Sequence, residues 1–406
     1  MTNRQAAIEI IKRLQGEGFT ALLAGGCVRD MLLGRQAKDY DVATNALPEN
    51  VIRLFKRTLK VGAKFGVVIV MIEGQQVEVA TFRTEAGYAD GRHPSKVQFA
   101  DPAEDASRRD FTINGMFYDP LQKKVIDYVG GQVDLKKKLV RTIGRPAERF
   151  GEDYLRMLRA VRFATQLGFK IEDKTWSAIC ETAKNITKIS GERIAMELEG
   201  ILVDPNRSLG TKLLIKCGLA EVIFPNFAGK EAELGVSILG RLPKKTDFAL
   251  GLTGLFAACP AEFAIERCEV LKLSRNQNKH IKFLLDNRDR LLNEQMSLAE
   301  LKMILAEPYF DDLYELQKAI QKAMGKSVAA LVNLRKRIKA LGDVELKPKP
   351  LLDGHSLMKL GAVPGPAFGQ LARELYIAQL EGNLQTPRQA EQWALKWLQK
   401  HQVNEK

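Results

Sequence analysis

Strand signals in this 406-residue chain stop at about residue 140, and that boundary constrains the fold more than any other feature. Before it, "TALLA" (20–24), "YDVAT" (40–44), "GVVIVMI" (66–72), "QVEVATF" (76–82) and "KVIDYV" (124–129) are β-branched or alternate apolar with polar residues. Helical patterns lie between them at 3–15, 27–33 and 48–57. From about residue 147 the period is helical throughout. Ile194, Leu198, Ile201 and Leu202 recur on one face behind a candidate N-cap, Ser190. The pattern predicts an α+β chain: a mixed head over 1–140, then helices over 141–215 and 216–345. A basic, proline-bearing break, "RKRIK" with "LKPKPLL", sets off a last helical unit at 346–406. There Pro366 opens a helix, Phe368, Leu371 and Leu375 share a face, and Gly382 closes it.

The chemistry concentrates in "LLGRQAKDYDVATN" and its surroundings. Asp39 and Asp41 are one residue apart at a strand start, so both carboxylates point to one face. Two like charges held together call for a cation or a proton between them. Upstream, "LLAGGCVRDMLLGR" places Gly25 and Gly26 at a strand-to-helix turn. Backbone can approach an anion closely there, the helix offers free N–H groups, and Arg29 adds a charged fork. No dinucleotide fingerprint or Walker loop is present. A glycine pair alone reads as a tight turn; its position a dozen residues before two aspartates is what suggests a phosphate.

Paired carboxylates beside a phosphate cradle suit Mg²⁺, which takes hard oxygen ligands from protein and substrate. A third carboxylate, Glu78 in "VEVATF", is placed to complete the set, or else is an exposed strand residue paired with Arg83. In "SRRDFTINGM", Arg109 and Asn114 are candidates for a triphosphate or sugar; the plain reading is a helix start with Asp110 as N-cap, and both can hold together. In "GEDYLRMLRAVRFA", a helix would set Asp153 three residues before Arg156, with Arg159 and Arg162 continuing the row. The plain reading is a surface ion pair. The sharper one is base recognition. A carboxylate accepts from the exocyclic amino group of cytosine or adenine, and a guanidinium donates to the ring. Uracil and guanine present the opposite pattern.

The formal net charge of +13 favours a polyanionic partner, nucleic acid before membrane. Five cysteines without a CxxC pair read as small buried residues in a reducing compartment. No signal-peptide core and no membrane-length apolar run is seen, so a cytoplasmic location is expected.

"GGCVRD…KDYDVAT", "VEVATFR", "YADGRHP", "RRDFTIN", "DYVGG…DL" and "EDYLRMLRAVRFA", in this order, resemble the class II tRNA nucleotidyltransferases: bacterial CCA-adding enzymes and their poly(A) polymerase relatives. The likeness is dense over 20–205 and reappears in "LLDGHSLMKLGAVPGPAFG". It implies a polymerase-β-like nucleotidyltransferase head (a mixed sheet with helices), followed by an all-α neck, body and tail. It implies that Asp39 and Asp41 hold Mg²⁺ with Glu78 as third catalytic carboxylate. Nucleotide-binding positions would be Gly25, Gly26, Arg29, Arg109, Asp110 and Asn114 in the head. In the neck they would be Asp153 and Arg156, reading the base, with Arg159 and Arg162. The implied activity is untemplated addition of CCA to tRNA from CTP and ATP with release of pyrophosphate, tRNA docking along neck, body and tail.

Three departures bear on this. His93 stands in "DGRHP" where arginine is usual, in the segment tied to the switch from C to A addition. Gly115 replaces alanine. No HD dipeptide exists, so no phosphohydrolase domain is expected. The rivals are a poly(A) polymerase, disfavoured by Ala63 in "VGAKFGVVIV", an enzyme adding only the terminal A, and, more remotely, a non-catalytic RNA-binding protein.

Overall fold

The computed structural model describes residues 1–60, 66–88 and 94–402. His93 and Ala63 lie outside these residues. The head opens with helix α1 (Asn3–Gly16), started by a capping box between Thr2 and Gln5. Strand β1 (Ala21–Ala24) then runs into α2 (Gly26–Leu32), and β2 (Asp41–Thr44) into α3 (Pro48–Leu54). Next come β3 (Thr58–Leu59), β4 (Val67–Ile72) and β5 (Gln75–Thr81), then a separate hairpin, β6 (Arg83–Tyr88) with β7 (Pro94–Phe99). Helix α4 (Pro102–Ser107) and a short 3₁₀ turn (Thr112–Asn114) precede β8 (Met116–Asp119) and β9 (Lys124–Asp127), and α5 (Gly131–Lys137) follows.

Seven strands form one mixed sheet, ordered β3-β4-β5-β2-β1-β8-β9. Only β2 and β5 pair in parallel; their neighbours are antiparallel. Alternation sorts the side chains. Leu23, Val42, Val77 and Val79 join the core under α1, which buries Ala6, Ala7, Ile10, Ile11 and Leu14. The opposite face carries Leu22, Ala24, Ala43, Phe82 and Phe117, and with them Asp41 and Glu78, which share its parity.

A two-stranded parallel piece, β10 (Leu139–Val140) with β11 (Lys170–Ile171), ties the end of the head to the helices beyond. Helical periodicity around 170 did not disclose it, because two residues are too few to show a period. Around it pack α6 (Pro146–Glu152), α7 (Leu155–Leu167), α8 (Asp173–Thr182), α9 (Gly191–Leu202) and α10 (Arg207–Lys216). Ser190 holds the N-cap position of α9, without a capping hydrogen bond from its side chain, and the apolar face of α9 is as the spacing predicts. One apolar core runs from head to body without interruption, whereas Leu352, Leu357, Leu371, Leu375 and Trp397 form a separate core in the last unit.

At the junction of α9 and α10 with the helices beyond, Arg207 is 2 % exposed. It donates to the carbonyls of Leu202, Val203, Leu242, Pro243 and Lys244. Burial lowers its pKa from the usual arginine value. The cysteines are all free, and four are buried; Cys180 is exposed, contrary to expectation.

Candidate active site

The register of β2 on β5 makes the carboxylate cluster. Val42 is level with Val79, so Asp41 and Glu78, one residue earlier on each parallel strand, stand side by side. Asp39 lies just before β2, outside the strand, and faces the same cavity as Asp41. Asp41 opens onto that cavity but is hemmed in by protein. This desolvation, then the charges of Glu78 and Asp39, push its carboxyl up to about 6, against a smaller opposing pull from Arg109. Three crowded carboxylates with too little positive charge nearby fit a divalent cation with hard oxygen ligands. Burial likewise lifts the Cys27 thiol, at the start of α2, to about 11, so it stays protonated.

The glycine pair makes room for guanidinium groups. Gly25 has φ +76°, a left-handed conformation that a side chain resists, and a Cβ there would stand 3.0 Å from Arg109 Nη1. Arg109 is held by Asp105 at 2.9 Å and lies over the Phe117 ring. Burial raises the Asp105 carboxyl, but Arg109 and Arg108 outweigh it and hold the group below its usual range. Over Gly26 lies the guanidinium of Arg29, 3.6 Å from where a Cβ would be.

A continuous polar chain then links head to helices. Arg29 Nη1 donates to Asn114 Oδ1 at 2.7 Å, and Asn114 Nδ2 donates to Asp110 Oδ1 at 3.1 Å. Asp110 Oδ2 pairs with Arg159 at 2.7 Å. Asp110 is therefore a bridge and not an N-cap; Phe111 holds the cap position of the 3₁₀ turn. Burial raises Asp110, yet Arg159 and the hydrogen bonds it accepts from Arg159, Asn114 and the Phe111 N–H hold it below its usual value. Arg159 is raised in turn, chiefly by Asp110. Glu197 of α9 completes the chain, 3.7 Å from Arg159 and 2.6 Å from Arg162.

Asp153 and Arg156 both face the cavity, but not as the paired helical residues that their spacing suggests. Asp153 sits in the break between α6 and α7 with extended backbone, φ −150° and ψ 105°. Its Oδ1 accepts from the Leu155 N–H, and its Oδ2 takes Arg193 of α9 at 2.7 Å. Arg156 is 8 % exposed and binds Glu152 and the carbonyl of Arg149. The helix break separates the carboxylate from the row of arginines, so each finds another partner.

All these groups line one cavity of about 660 Å³ between head and helices: Gly25, Gly26, Arg29, Asp39, Asp41, Arg109, Asp110, Asn114, Asp153, Arg156, Arg159 and Arg162. Glu78 lies beside Asp41 and not in the lining. Sequence reasoning missed Phe163, Arg193 and Glu197. Phe163 carries three guanidiniums on its ring, Arg29 at 5.2 Å, Arg159 at 5.4 Å and Arg162 at 4.3 Å. Its spacing of four and one from Arg159 and Arg162 was a readable signal. Arg193 lies 40 residues from Asp153 and Glu197 35 from Arg162, and they gave none.

Residues 21–141 match the poly A polymerase head domain family, and 168–230 match the family described as probable RNA and SrmB-binding site of polymerase A. The chain is 33 % identical over 390 residues to the CCA-adding enzyme of Lactobacillus johnsonii, covering 93 % of each chain. Against that of Geobacillus kaustophilus it is 45 % identical over 227 residues, 56 % of each. The crystal structure of the Bacillus stearothermophilus CCA-adding enzyme in complex with CTP superposes over 100 % of both chains, with TM-score 0.81 and 27 % identity. With a mixed-sheet head that carries its carboxylates against a helical body, and with likeness at this level along nearly its whole length, this chain belongs to the family of CCA-adding enzymes, nucleotidyltransferases with a polymerase-β-like head.

Proposed function

We propose that this protein builds the CCA end of tRNA, transferring nucleoside monophosphates from CTP and ATP to the RNA 3′-hydroxyl with release of pyrophosphate. The observation that carries the reading is the meeting, in one cavity, of the Asp39–Asp41 pair with Asp153 and Arg156. One end can do phosphoryl chemistry and the other can read a base.

The carboxylates of Asp39 and Asp41, with Glu78 beside them, would hold Mg²⁺. Bound there, it would lower the pKa of the 3′-hydroxyl and offset charge on the phosphates. Gly25 and Gly26 leave the start of α2 open to the triphosphate, with Arg29 and Arg109 set over them. Arg159 and Arg162, on the Phe163 ring, add positive charge along the same wall. Asp110 and Asn114 keep Arg29 and Arg159 in register across the head boundary. Asp153 would accept from the amino group of cytosine or adenine while Arg156 donates to the ring, so that protein takes the place of a template. The Asp153–Arg193 and Arg156–Glu152 pairs hold both groups in place at the cavity wall, and a base would take over part of their hydrogen bonding.

The excess of positive charge and the helical units over 141–215, 216–345 and 346–406 suit the acceptor stem and elbow of tRNA. No helix among the described residues is long and apolar enough to cross a membrane, and a cytoplasmic site of action agrees with a tRNA substrate. The test is incubation with tRNAs ending at the discriminator base, C or CC, and with oligo(A), supplying CTP, ATP or both. Completion of every tRNA to CCA, with oligo(A) left unextended, is expected. Extension of oligo(A), or of CC-ended tRNA alone, would overturn the reading in favour of poly(A) or A-only addition.

A further inference from the structure

Away from the cavity, three helices of the body bring one nitrogen and two carboxylates together. His280 lies in the helix Arg275–Asn287 and is 6 % exposed. Its ring stacks on Tyr309, with centroids 4.1 Å apart and planes 13° from parallel, which fixes its plane. Asp312 belongs to the first turn of the helix Phe310–Ala323, and Asp247 caps the helix Phe248–Phe256. Asp312 Oδ2 is 3.2 Å from His280 Nε2, and Asp247 Oδ2 is 3.5 Å from Nδ1.

Nε2 is sealed from solvent and yet has no hydrogen-bond partner. At 3.2 Å the cause is direction and not distance, since the Asp312 oxygen lies off the axis of the nitrogen. A buried polar atom left in this way asks for an explanation, and an ion is one. Two donors converging beside each other form an edge of a coordination shell. Metal bonds of about 2.0–2.2 Å at tetrahedral angles set neighbouring ligand atoms roughly 3.3 Å apart. The nearest donor atoms of all three residues fall within 4.8 Å of one another. Asp247 spends Oδ1 on the Leu250 N–H and turns Oδ2 toward Nδ1. A carboxylate facing Nδ1 at 3.5 Å favours the tautomer with its proton on that nitrogen, which leaves the Nε2 lone pair free, as metal-binding histidines require. The Asp247 and Asp312 side chains are 56 % and 37 % exposed, so water can complete the shell.

We propose that His280 Nε2 and Asp312, backed by Asp247, bind a divalent transition-metal ion that ties the three helices together. A set that includes an imidazole nitrogen suits Zn²⁺, with Co²⁺ as its spectroscopic stand-in, better than Mg²⁺. The site is thus chemically distinct from the all-carboxylate cluster of the head. Its role is to hold the body in shape, and nucleotide transfer does not pass through it.

The test uses full-length protein stripped by chelation and returned to excess Mg²⁺, which fills the carboxylates of the head, before titration with Co²⁺. Visible d–d absorption should saturate at a single ion per chain, without the near-ultraviolet thiolate band that exposed Cys180 would contribute. Zn²⁺ should displace it and raise the Tm. Asp312→Asn, an isosteric change at a half-buried position, should lose both effects while incorporating nucleotides at the normal rate in Mg²⁺. His280→Gln should do the same. Should His280→Gln fail to fold, Asp312→Asn decides alone. Absence of the band in the wild-type protein, or its survival in Asp312→Asn, overturns the proposal.

Discussion

Gly25 lies directly beneath Arg109: a Cβ on the glycine would stand 3.0 Å from Nη1 of the arginine. Gly25→Ala therefore meets two costs, a side chain at φ +76° and a guanidinium that must shift. Arg109 is anchored at its other side by Asp105, so its freedom to give way is small. Expected is a loss of stability of about 1–2 kcal/mol, by the strain of a non-glycine residue in this region. With it comes a drop of at least about tenfold in kcat/KM for CTP and ATP, if one charge-assisted contact worth about 1.4 kcal/mol or more is misplaced. Steady-state kinetics on purified variant, set beside its Tm, separates the two. Unchanged kcat/KM would remove Arg109 from the nucleotide site.

In the proposed reading, base choice would rest on groups that are already engaged. Asp153 is held by Arg193 and by the Leu155 N–H, while Arg156 is held by Glu152. Asp153→Ala should therefore do more than delete one acceptor, because it releases Arg193 into the cavity. Incorporation from CTP and ATP should fall, and discrimination against UTP and GTP should shrink by at least tenfold. Single-turnover assays with each nucleotide measure it. Unaltered selectivity would defeat the template reading.

The strands around the site were legible because β2 and β5 show alternation, and the placing of Asp41 and Glu78 follows from them, whereas Asp39 stands just outside β2. The glycine turn was legible from position alone. The partners of Asp153 were not. Sequence spacing treats 151–164 as one helix, but the chain breaks at Asp153, and the partner it then finds is forty residues away on α9. Glu197 escaped notice for the same reason: an i, i+4 pair on one helix says nothing about which second helix lies against it. The β10–β11 link is too short for any periodicity. What could be read is local pattern; what could not is the packing of α7 on α9.

Acid should dismantle the link between head and helices at Asp110. Its carboxyl is held below the ordinary value of 3.8 in the folded chain, with Arg159 the chief favourable partner. The unfolded chain takes up that proton first as pH falls. The stabilisation is thus fully present above about pH 4, the unfolded value, and drains away as pH passes down through the lower folded value. Asp110→Asn should lower the Tm at neutral pH and narrow its gap to wild type at the most acid pH the fold tolerates. Calorimetry across that range checks it, and a gap that does not narrow would mean that Asp110 acts through its shape and not its charge.

Arg207 offers a test of the junction independent of chemistry. Five carbonyls converge on its guanidinium, and Met would fill the volume while leaving them without a donor. Buried acceptors cost about 1–3 kcal/mol each where water cannot reach them. Arg207→Met should destabilise the chain by on the order of 3 kcal/mol and lower the Tm, with nucleotide affinity at the cavity, whose lining does not include Arg207, little changed. Chemical denaturation and nucleotide titration on the same sample measure both. A stable variant would show that water replaces the guanidinium.

Asp41 should behave in the opposite sense, because the fold holds it at a cost. Its carboxyl is pushed up to about 6 by burial and by Glu78 and Asp39, so at neutral pH it is ionised against the preference of its surroundings. Such strain is kept where function needs it. Asp41→Asn removes the charge and keeps the shape. It should abolish nucleotide incorporation, leave tRNA binding close to wild type, and raise the Tm measured without divalent cations. Added Mg²⁺ should raise the Tm of the wild-type protein, since a cation relieves the same crowding, and should do so far less in Asp41→Asn. A lower Tm for Asp41→Asn in the absence of Mg²⁺ would mean that the three carboxylates are not in conflict, and the argument for a metal seat at the head of β2 would fall with them.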